Sequence, residues 1–247
     1  MTIEMPTFFR TGERTLRFSF EEAISQEVWN QVHYFSEMIS LEWNHLIEEM
    51  VPSYHTVTVF FIDSSALDKV DIKGFLFQWQ HKNLALEKMP TRLVHIPVCY
   101  EEPYSLDMDR IASLNGLSSK QIIQLHTQPL YTVYMIGFLP GFPYLGELNK
   151  NLSISRLDKP RNIVPKGSVG IGGNQTGIYP LESPGGWNII GRTPLELYSA
   201  FRNDHFLLRA RDLIRFFPIS IHEYEEIASE LKQDSLAMKR FVEELSK

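Results

Sequence analysis

The sequence predicts an α+β fold of two domains, with strands and helices mixed in the first and short strands dominating the second. Eleven of the fourteen glycines lie between Gly137 and Gly191, interrupted by prolines and short apolar runs. This pattern is typical of short strands joined by rigid loops, and it favours a closed or sandwiched β architecture. Before the glycine-rich segment, the apolar residues follow helical spacing in some stretches and strand spacing in others. The 247 residues are enough for two domains that each bury a core.

The first part of the chain alternates between strand and helix periodicity. A strand around Leu16 is followed by apolar residues at helical spacing from Ile24 to Ile39, and then by a strand from His55 to Ile62. A helix from about Leu67 to Leu76 precedes another strand, Leu93 to Tyr100. The order β-α-β-α-β favours a small ferredoxin-like domain, with helices packed on a sheet.

Capping signals predict the helices that follow. Asp107 can cap a helix that Gly116 ends, and Ser118 with Gln121 forms a capping-box pattern for a second short helix. Strands are predicted from Tyr131 to Ile136 and from Arg209 to Phe217. A second capping box, Ser220 with Glu223, opens a helical tail. We therefore divide the chain into residues 1–90, 91–220 and 221–247, with a soft boundary between Met89 and Tyr100.

Composition excludes several functional classes. A formal net charge of −6 argues against nucleic acid as a partner, since phosphates reward a basic face. No apolar run reaches the roughly 20 residues that span a bilayer, and the amino terminus has no signal-peptide pattern, so we expect a cytoplasmic protein without a membrane partner. The single cysteine, Cys99, lies in an apolar strand and is expected to be a buried thiol.

Several short patterns carry no chemistry. Gly167 to Gly173 lacks the GK[ST] ending of a P-loop and is too short for a dinucleotide fingerprint. The histidines are scattered, so neither a catalytic triad nor a helical zinc site is indicated. The run Ala237-Met238-Lys239-Arg240 is similar to a biotin-accepting sequence, but its neighbours have helical spacing. We predict no metal and no biotin on this chain.

The glycine-rich segment carries polar groups that suit a small anionic ligand. It has a local excess of cations in an acidic protein: Arg156, Lys159, Arg161, Lys166 and Arg192, against Glu147, Asp158 and Glu182. Backbone amides at Lys166, Gly167 and Ser168 could form an anion-binding nest, and an arginine could add a bidentate fork for carboxylate or phosphate.

Further side chains in this segment could bind a substrate. Gln175, Tyr179 and Ser183 can supply hydrogen bonds, while Trp187 is either a pocket wall or part of the core. The alternative for every charged group here is a solvated loop position.

These residues also carry a family resemblance. The run from Tyr134 to Pro194 resembles the 5-oxoprolinase B-subunit family, also described as allophanate hydrolase subunit 1 and as the kinase inhibitor KipI. The similar motifs are GFLPGFPYLG from Gly137, PR at Pro160, VP and GSVGI from Val164, QTGIYP from Gln175, SPGGW from Ser183 and GRTP from Gly191. Leu125-His126 and the strand His95 to Val98 also look like family features.

The resemblance implies a cyclophilin-like β-barrel after the small α/β domain. It adds His126 to the candidate binding residues, and it marks a loop framework of Pro140, Gly141, Gly170, Gly177, Pro184, Gly185 and Gly186. It also implies ATP-dependent opening of 5-oxoproline to glutamate by a complex. The partners would be a C subunit, of the KipA or allophanate hydrolase subunit 2 type, and an A subunit. The chain alone would be inactive, and no catalytic residue transfers from the family.

Two other functions stay open at this point. The inhibitor branch of the family implies docking on a histidine kinase and inhibition of its autophosphorylation, and a carboxyltransferase-like role related to urea carboxylase is the third possibility. The sequence also departs from the family pattern. It has Ser105-Leu106-Asp107-Met108 where the family usually has Gly-Pro-Asp-Leu, and Arg211-Asp212 where the family has Gly-Asp.

Overall fold

The computed structural model describes residues 4–23, 25–81, 92–146, 148–202 and 204–245. The chain divides into two compact units, residues 1–88 and 89–247. Ile24 and Met89, which the sequence places in a helix and at the soft boundary, lie outside the described residues.

The first unit is an antiparallel sheet with helices. Its elements are β1 (Thr7–Gly12), β2 (Thr15–Ser19), α1 (Gln26–Trp43), β3 (Ile47–Pro52), β4 (Thr56–Phe61), α2 (Ser64–Asp68) and α3 (Ile72–Gln80). The strands pair in the order β1-β2-β4-β3. Phe18 on β2 packs edge-on against Phe35 of α1, which also contacts Phe75 and Trp79 of α3. All four side chains are fully buried, so aromatic packing joins the helices to the sheet.

The predicted order of elements for this part is wrong in two respects. The predicted order β-α-β-α-β misses β1 and β3, whose side chains are mostly exposed and therefore carry little hydrophobic periodicity. The predicted order also counted the strand from Leu93 to Tyr100 with the elements before it, although the division at residue 90 places this strand in the second part; in the structure it pairs with residues more than a hundred positions later, in the second unit. The ferredoxin-like description, which rests on that order, is not confirmed.

The second unit is a closed barrel. Its strands are β5 (Arg92–Cys99), β6 (Tyr131–Ile136), β7 (Pro143–Leu145), β8 (Arg161–Val164), β9 (Ser168–Gly172), β10 (Gln175–Ile178), β11 (Ser183–Gly185), β12 (Asn188–Arg192), β13 (Leu213–Ile219) and β14 (Val242–Glu244). Seven of them form the ring β12-β9-β10-β7-β6-β13-β5, which closes where Arg192 of β12 pairs with Cys99 of β5. Strands β8 and β11 form a separate two-stranded sheet. Of the two predicted architectures, closed and sandwiched, the closed one is confirmed.

Helices cover the barrel, and local sequence determines their ends. They are α4 (Met108–Asn115), α5 (Ser119–Thr127) and α6 (Ile221–Gln233). Both predicted capping boxes form, at Ser118 and at Ser220, and Gly116 ends α4 with φ of 65°. The tail after residue 220 is not wholly helical, because β14 adds to β5 as an antiparallel strand. Among the helices in the described ranges, none combines the length and apolar character needed to cross a membrane.

The barrel has its own hydrophobic core. Ile96 and Val98 of β5, Val133 of β6, Ile171 of β9 and Ile214 of β13 are fully buried and belong to one cluster. A smaller, separate cluster lies among the glycine-rich loops and includes Phe142, Tyr179 and Trp187. That second cluster is where the candidate site is found.

Candidate functional site

Four aromatic rings form the frame of the site, and we call them the aromatic cluster: Phe142, Tyr144, Tyr179 and Trp187. Phe142 lies edge-on to Tyr179 at 5.3 Å and to Trp187 at 5.5 Å between ring centroids. Tyr144 meets Trp187 at 6.3 Å. Edge-on rings at these distances pack favourably and leave little freedom for each ring to turn, so the cluster is rigid; Phe142, Tyr179 and Trp187 are buried and Tyr144 is partly exposed.

Glycine makes this close packing possible. A β-carbon on Gly185 would lie 2.4 Å from the hydroxyl oxygen of Tyr179, well inside van der Waals contact. The predicted framework residues surround the cluster: Gly170 and Gly177 lie on β9 and β10, Pro184 and Gly185 lie on β11, and Gly186 follows. Pro140 and Gly141 belong to the loop between β6 and β7, where Gly141 has φ of 82°.

Two arginines flank the aromatic cluster. The guanidinium carbon of Arg156 lies 5.8 Å from the centroid of the Trp187 ring, a cation–π distance. Arg161, at the start of β8, lies within electrostatic reach of Tyr179, as does Arg156. The cluster therefore places two cations beside one buried phenol.

Both tyrosines of the cluster are held in the protonated form. Burial raises the pKa of Tyr179, opposed by a hydrogen bond from the Trp187 backbone and by the charges of Arg156 and Arg161. Burial likewise raises the pKa of Tyr144, opposed by Arg156. At neutral pH both hydroxyl groups therefore carry their protons.

Arg161 is fixed by a buried carboxylate. The Nη2 of Arg161 donates to Oδ1 of Asp107 at 2.6 Å, and the other Asp107 oxygen accepts from the Ile189 amide, also at 2.6 Å. Asp107 is 5% exposed. It occupies the predicted cap position of α4, but its side chain makes no capping bond there, because both oxygens are used elsewhere. In the described part of the chain, Nη1 of Arg161 is buried without an acceptor.

The other predicted cationic group is separate and internally satisfied. Arg192 lies over the Tyr104 ring at 5.6 Å and donates through Nε to the carbonyl of Lys166 at 2.8 Å. Lys166 forms an ion pair with Glu196. Lys166 and Arg192 are thus not joined to the aromatic cluster by any described contact.

The predicted anion nest is wrong for two of its three amides. The Gly167 amide donates to the Tyr179 carbonyl at 2.7 Å, and the Ser168 amide donates to the Pro165 carbonyl at 3.2 Å. The glycines here belong to a tight turn before β9. In that turn the two amides donate to protein carbonyls and so help to hold β9 in the barrel. They have no hydrogen left for an anion.

His126 lies in the barrel interior and not among the loops. It is fully buried, with Nδ1 2.8 Å from the Tyr100 hydroxyl and Nε2 2.9 Å from Oγ1 of Thr176. Because Thr176 donates to the Gly170 carbonyl, it accepts from Nε2–H of the histidine, so Nδ1 accepts from Tyr100. Burial lowers the pKa of His126 to about 3. The residue is a neutral part of the core.

The remaining predicted side chains lie at strand starts. Gln175 begins β10 and Ser183 begins β11, where its hydroxyl donates to the Pro184 carbonyl at 3.2 Å. Of the predicted residues, the structure brings together Arg161, Tyr179 and Trp187. Sequence reasoning missed Asp107, Tyr144 and Phe142 as site members, and it counted Arg156 only as a charge. Glu147 lies outside the described residues.

Over residues 6–208 the sequence matches the family described as the carboxyltransferase domain, subdomain C and D. At the level of fold, the urea amidolyase of K. lactis agrees, with a TM-score of 0.72 at 17% identity, covering 98% of this chain and 18% of that one. The fold and the glycine-framed site thus define a protein of the carboxyltransferase-domain class.

Proteins with higher sequence identity to this chain indicate which family within this class it belongs to. The 5-oxoprolinase B subunit of Bacillus subtilis (strain 168) is 35% identical over 229 residues, which are 89% of this chain and 95% of that protein. The crystal structure of TTHA0988 superposes with a TM-score of 0.71 at 34% identity, covering 84% of this chain and 40% of TTHA0988. This chain therefore spans about two fifths of TTHA0988. The chain belongs to the 5-oxoprolinase B-subunit family.

Proposed function

We propose that this chain is the B subunit of an ATP-dependent 5-oxoprolinase, which opens 5-oxo-L-proline to L-glutamate together with partner C and A subunits. The observation that carries the proposal is the pair of arginines, Arg156 and Arg161, beside the protonated Tyr179 hydroxyl on a rigid aromatic surface. The name of the Bacillus subtilis relative supports the same reaction.

The chemistry of the substrate fits this site. 5-Oxoproline is a small lactam ring with one carboxylate, so it needs a cation for the carboxylate, an apolar wall for the ring and donors for the lactam oxygen. Arginine binds a carboxylate through two N–H groups, and Tyr144, which is partly exposed and packs edge-on against the buried Trp187, supplies an apolar wall. Tyr179 is a hydroxyl donor within electrostatic reach of both cations.

ATP is required because a lactam is a stabilised amide. Transfer of a phosphoryl group to its oxygen creates a better electrophile for water, and fixed positive charge stabilises the negative charge that develops. We assign the nucleotide to one of the partner subunits, because the amides of Gly167 and Ser168 are already engaged with protein carbonyls. On this assignment the chain alone is inactive.

We also propose a named fold for each part of the chain. The seven-stranded ring supports a cyclophilin-like description of residues 91–220, followed by a carboxy-terminal segment from residue 221. A ferredoxin-like description of residues 1–90 has less support, since the elements follow in the order β-β-α-β-β-α-α and not β-α-β-β-α-β.

The test is glutamate release from 5-oxo-L-proline and ATP. We expect release when this chain is mixed with its partner C and A subunits, and none when any one of the three is omitted. Arg156→Ala and Arg161→Ala should each raise KM about tenfold or more, because a charged hydrogen bond is lost. Arg209→Ala, which breaks an exposed pair with Asp204, is the control and should leave KM unchanged. A complete mixture that releases no glutamate, with partners that are active alongside a different protein of this family, contradicts the proposal.

The family description favours one second candidate, a carboxyltransferase-like role. In that case the chain, with its partner, would catalyse transfer of the carboxyl group from carboxybiotin to a small acceptor amide. Loss of carboxybiotin in the presence of urea, without ATP, would separate this reaction from lactam opening. If both assays are negative, inhibition of histidine-kinase autophosphorylation is the remaining function to measure.

A further inference from the structure

Asp107 is a buried carboxylate whose two contacts both lead to the candidate site. One oxygen accepts from the amide of Ile189 on β12, and the other accepts from Nη2 of Arg161 on β8. In sequence these partners are 82 and 54 residues away, so the contact exists only in the folded barrel. Asp107 thereby ties the start of β8, which carries Arg161, to the barrel strand β12.

The hydrogen bond between Asp107 and Arg161 determines how the guanidinium group of Arg161 is oriented. With Nη2 committed to Asp107, the guanidinium cannot rotate freely, and its plane is set by a carboxylate that the Ile189 amide itself holds in place. Nη1 is buried and, in the described ranges, has no acceptor. A buried N–H without an acceptor is costly, so ligand binding that moves aside the groups covering Nη1 and brings an oxygen to it supplies a missing hydrogen bond.

The surroundings of Arg161 indicate the class of ligand. Arg156 and Tyr179 lie within electrostatic reach of one another, and Arg161 acts on the same hydroxyl. Asp107 offsets one of the two arginine charges, which leaves a net positive site that favours a single negative charge. Tyr144, the partly exposed member of the aromatic cluster, supplies the wall for an apolar ring, with the buried Trp187 behind it.

We propose that Asp107 is a positioning residue, which holds Arg161 so that Arg161 and Arg156 together bind the carboxylate of a small cyclic amide acid. The inference rests on the proposed function for the identity of the ligand, 5-oxo-L-proline. Asp107 itself touches no substrate atom and acts through Arg161.

Asp107→Asn isolates this role. The amide oxygen can still accept from Ile189, while the amide NH2 no longer attracts the guanidinium, so the fold changes little and Arg161 loses its fixed position. In the reconstituted complex we expect KM for 5-oxo-L-proline to rise about tenfold or more with kcat changed less than threefold, since lost charged hydrogen bonds act on binding. Asp107→Glu, which retains the carboxylate, should recover part of the affinity.

A matched control separates positioning from simple loss of stability. Asp212 is likewise buried, 3% exposed, and pairs with Arg92 through two contacts of 2.9 and 2.5 Å. Asp212→Asn should lower the midpoint of thermal unfolding while leaving KM unchanged. In addition, Asp107→Asn should have no further effect on KM when Arg161 is already alanine, because the two residues act as one unit.

Equilibrium binding makes the inference testable apart from turnover. Calorimetric titration of this chain in complex with its C subunit should show that 5-oxo-L-proline binds, that 2-pyrrolidinone, which lacks the carboxylate, binds at least tenfold more weakly, and that Asp107→Asn removes this difference. If the complete mixture is inactive but the difference is seen, the proposed function fails and the inference stands. An unchanged KM and an unchanged preference in Asp107→Asn, or no binding of 5-oxo-L-proline by the unaltered protein, overturn the inference.

Discussion

At the scale of single residues, His126 shows how burial determines a protonation state. It is fully buried between Tyr100 and Thr176, and burial lowers its pKa to about 3, against about 6.5 in an unfolded chain. Between these values the unfolded state binds a proton that the folded state does not. Stability is therefore fully present above pH 6.5 and falls as the pH drops, by up to about 1.4 kcal/mol per pH unit.

We predict that His126 makes the free energy of unfolding depend on pH. The free energy of unfolding in urea, followed by circular dichroism, should fall between pH 6.5 and pH 4.5 in the unaltered protein. The His126→Gln protein should be less stable at pH 7 by about 1–3 kcal/mol, because the hydrogen bonds of His126 to Tyr100 and Thr176 are disturbed. Its stability should nevertheless depend less on pH. His222→Gln removes a histidine that is 80% exposed and should leave the slope as it is. Equal slopes in all three proteins would show that His126 does not cause the pH dependence.

There is a physical reason why the sequence pointed to some residues of the candidate site and not to others. Arg161, Tyr179 and Trp187 stand in a segment whose glycines and prolines mark special backbone, so residue type and neighbourhood were enough to name them as candidates. Asp107 stands before a helix, where a local cap explains it equally well, and its actual partners lie 54 and 82 residues later. Contacts between residues so far apart leave no periodic signal in a single sequence.

At the scale of elements, the turns around β9 determine its place in the ring. Gly167 precedes β9 with φ of 83°, and Gly173 follows it with φ of 67°. A β-carbon on Gly167 would lie 2.5 Å from the carbonyl oxygen of Thr193, whereas one on Gly173 would have no neighbour within 4 Å. Both positions carry the cost of left-handed backbone, but only Gly167 adds a clash with backbone atoms.

These two glycines form a matched pair for mutation. Gly173→Ala should lower the free energy of unfolding by about 1–2 kcal/mol, and Gly167→Ala by about 3 kcal/mol or more, since strain and overpacking combine. Urea unfolding at neutral pH measures both. Equal losses would mean that the turn before β9 shifts easily to admit a side chain.

Elements were predicted well where their signals are local. The run Tyr131–Ile136 and both capping boxes were assigned correctly, because hydrophobic pattern and cap chemistry lie within a few residues. β1 and β3 were missed because their exposed faces carry no apolar alternation. β14 was missed because the pairing with β5, and not the sequence of Val242–Glu244, makes it a strand.

At the scale of the whole molecule, the residues that the structure describes form a separate hydrophobic core in each unit. The first core runs from Leu16 to Trp79, and the barrel core from Val94 to Phe241. The barrel depends on β5, the strand that the predicted order β-α-β-α-β included but that the division at residue 90 places with the barrel. β5 pairs with β13 along seven residues, meets β12 at Cys99 and carries β14 on the same side as β12.

Two fragments test this division. Residues 89–247 contain all seven strands of the ring and should fold alone, giving dispersed amide signals by NMR and cooperative thermal unfolding. Residues 101–247 lack β5, so β13, β12 and β14 lose their shared partner, the ring opens and its edges are left unpaired. This shorter fragment should be unfolded or aggregated. If it folds as well as the longer one, β5 is not needed to close the barrel. If neither folds while the intact chain does, the barrel needs the first unit, and the boundary at residue 90 does not separate independent domains.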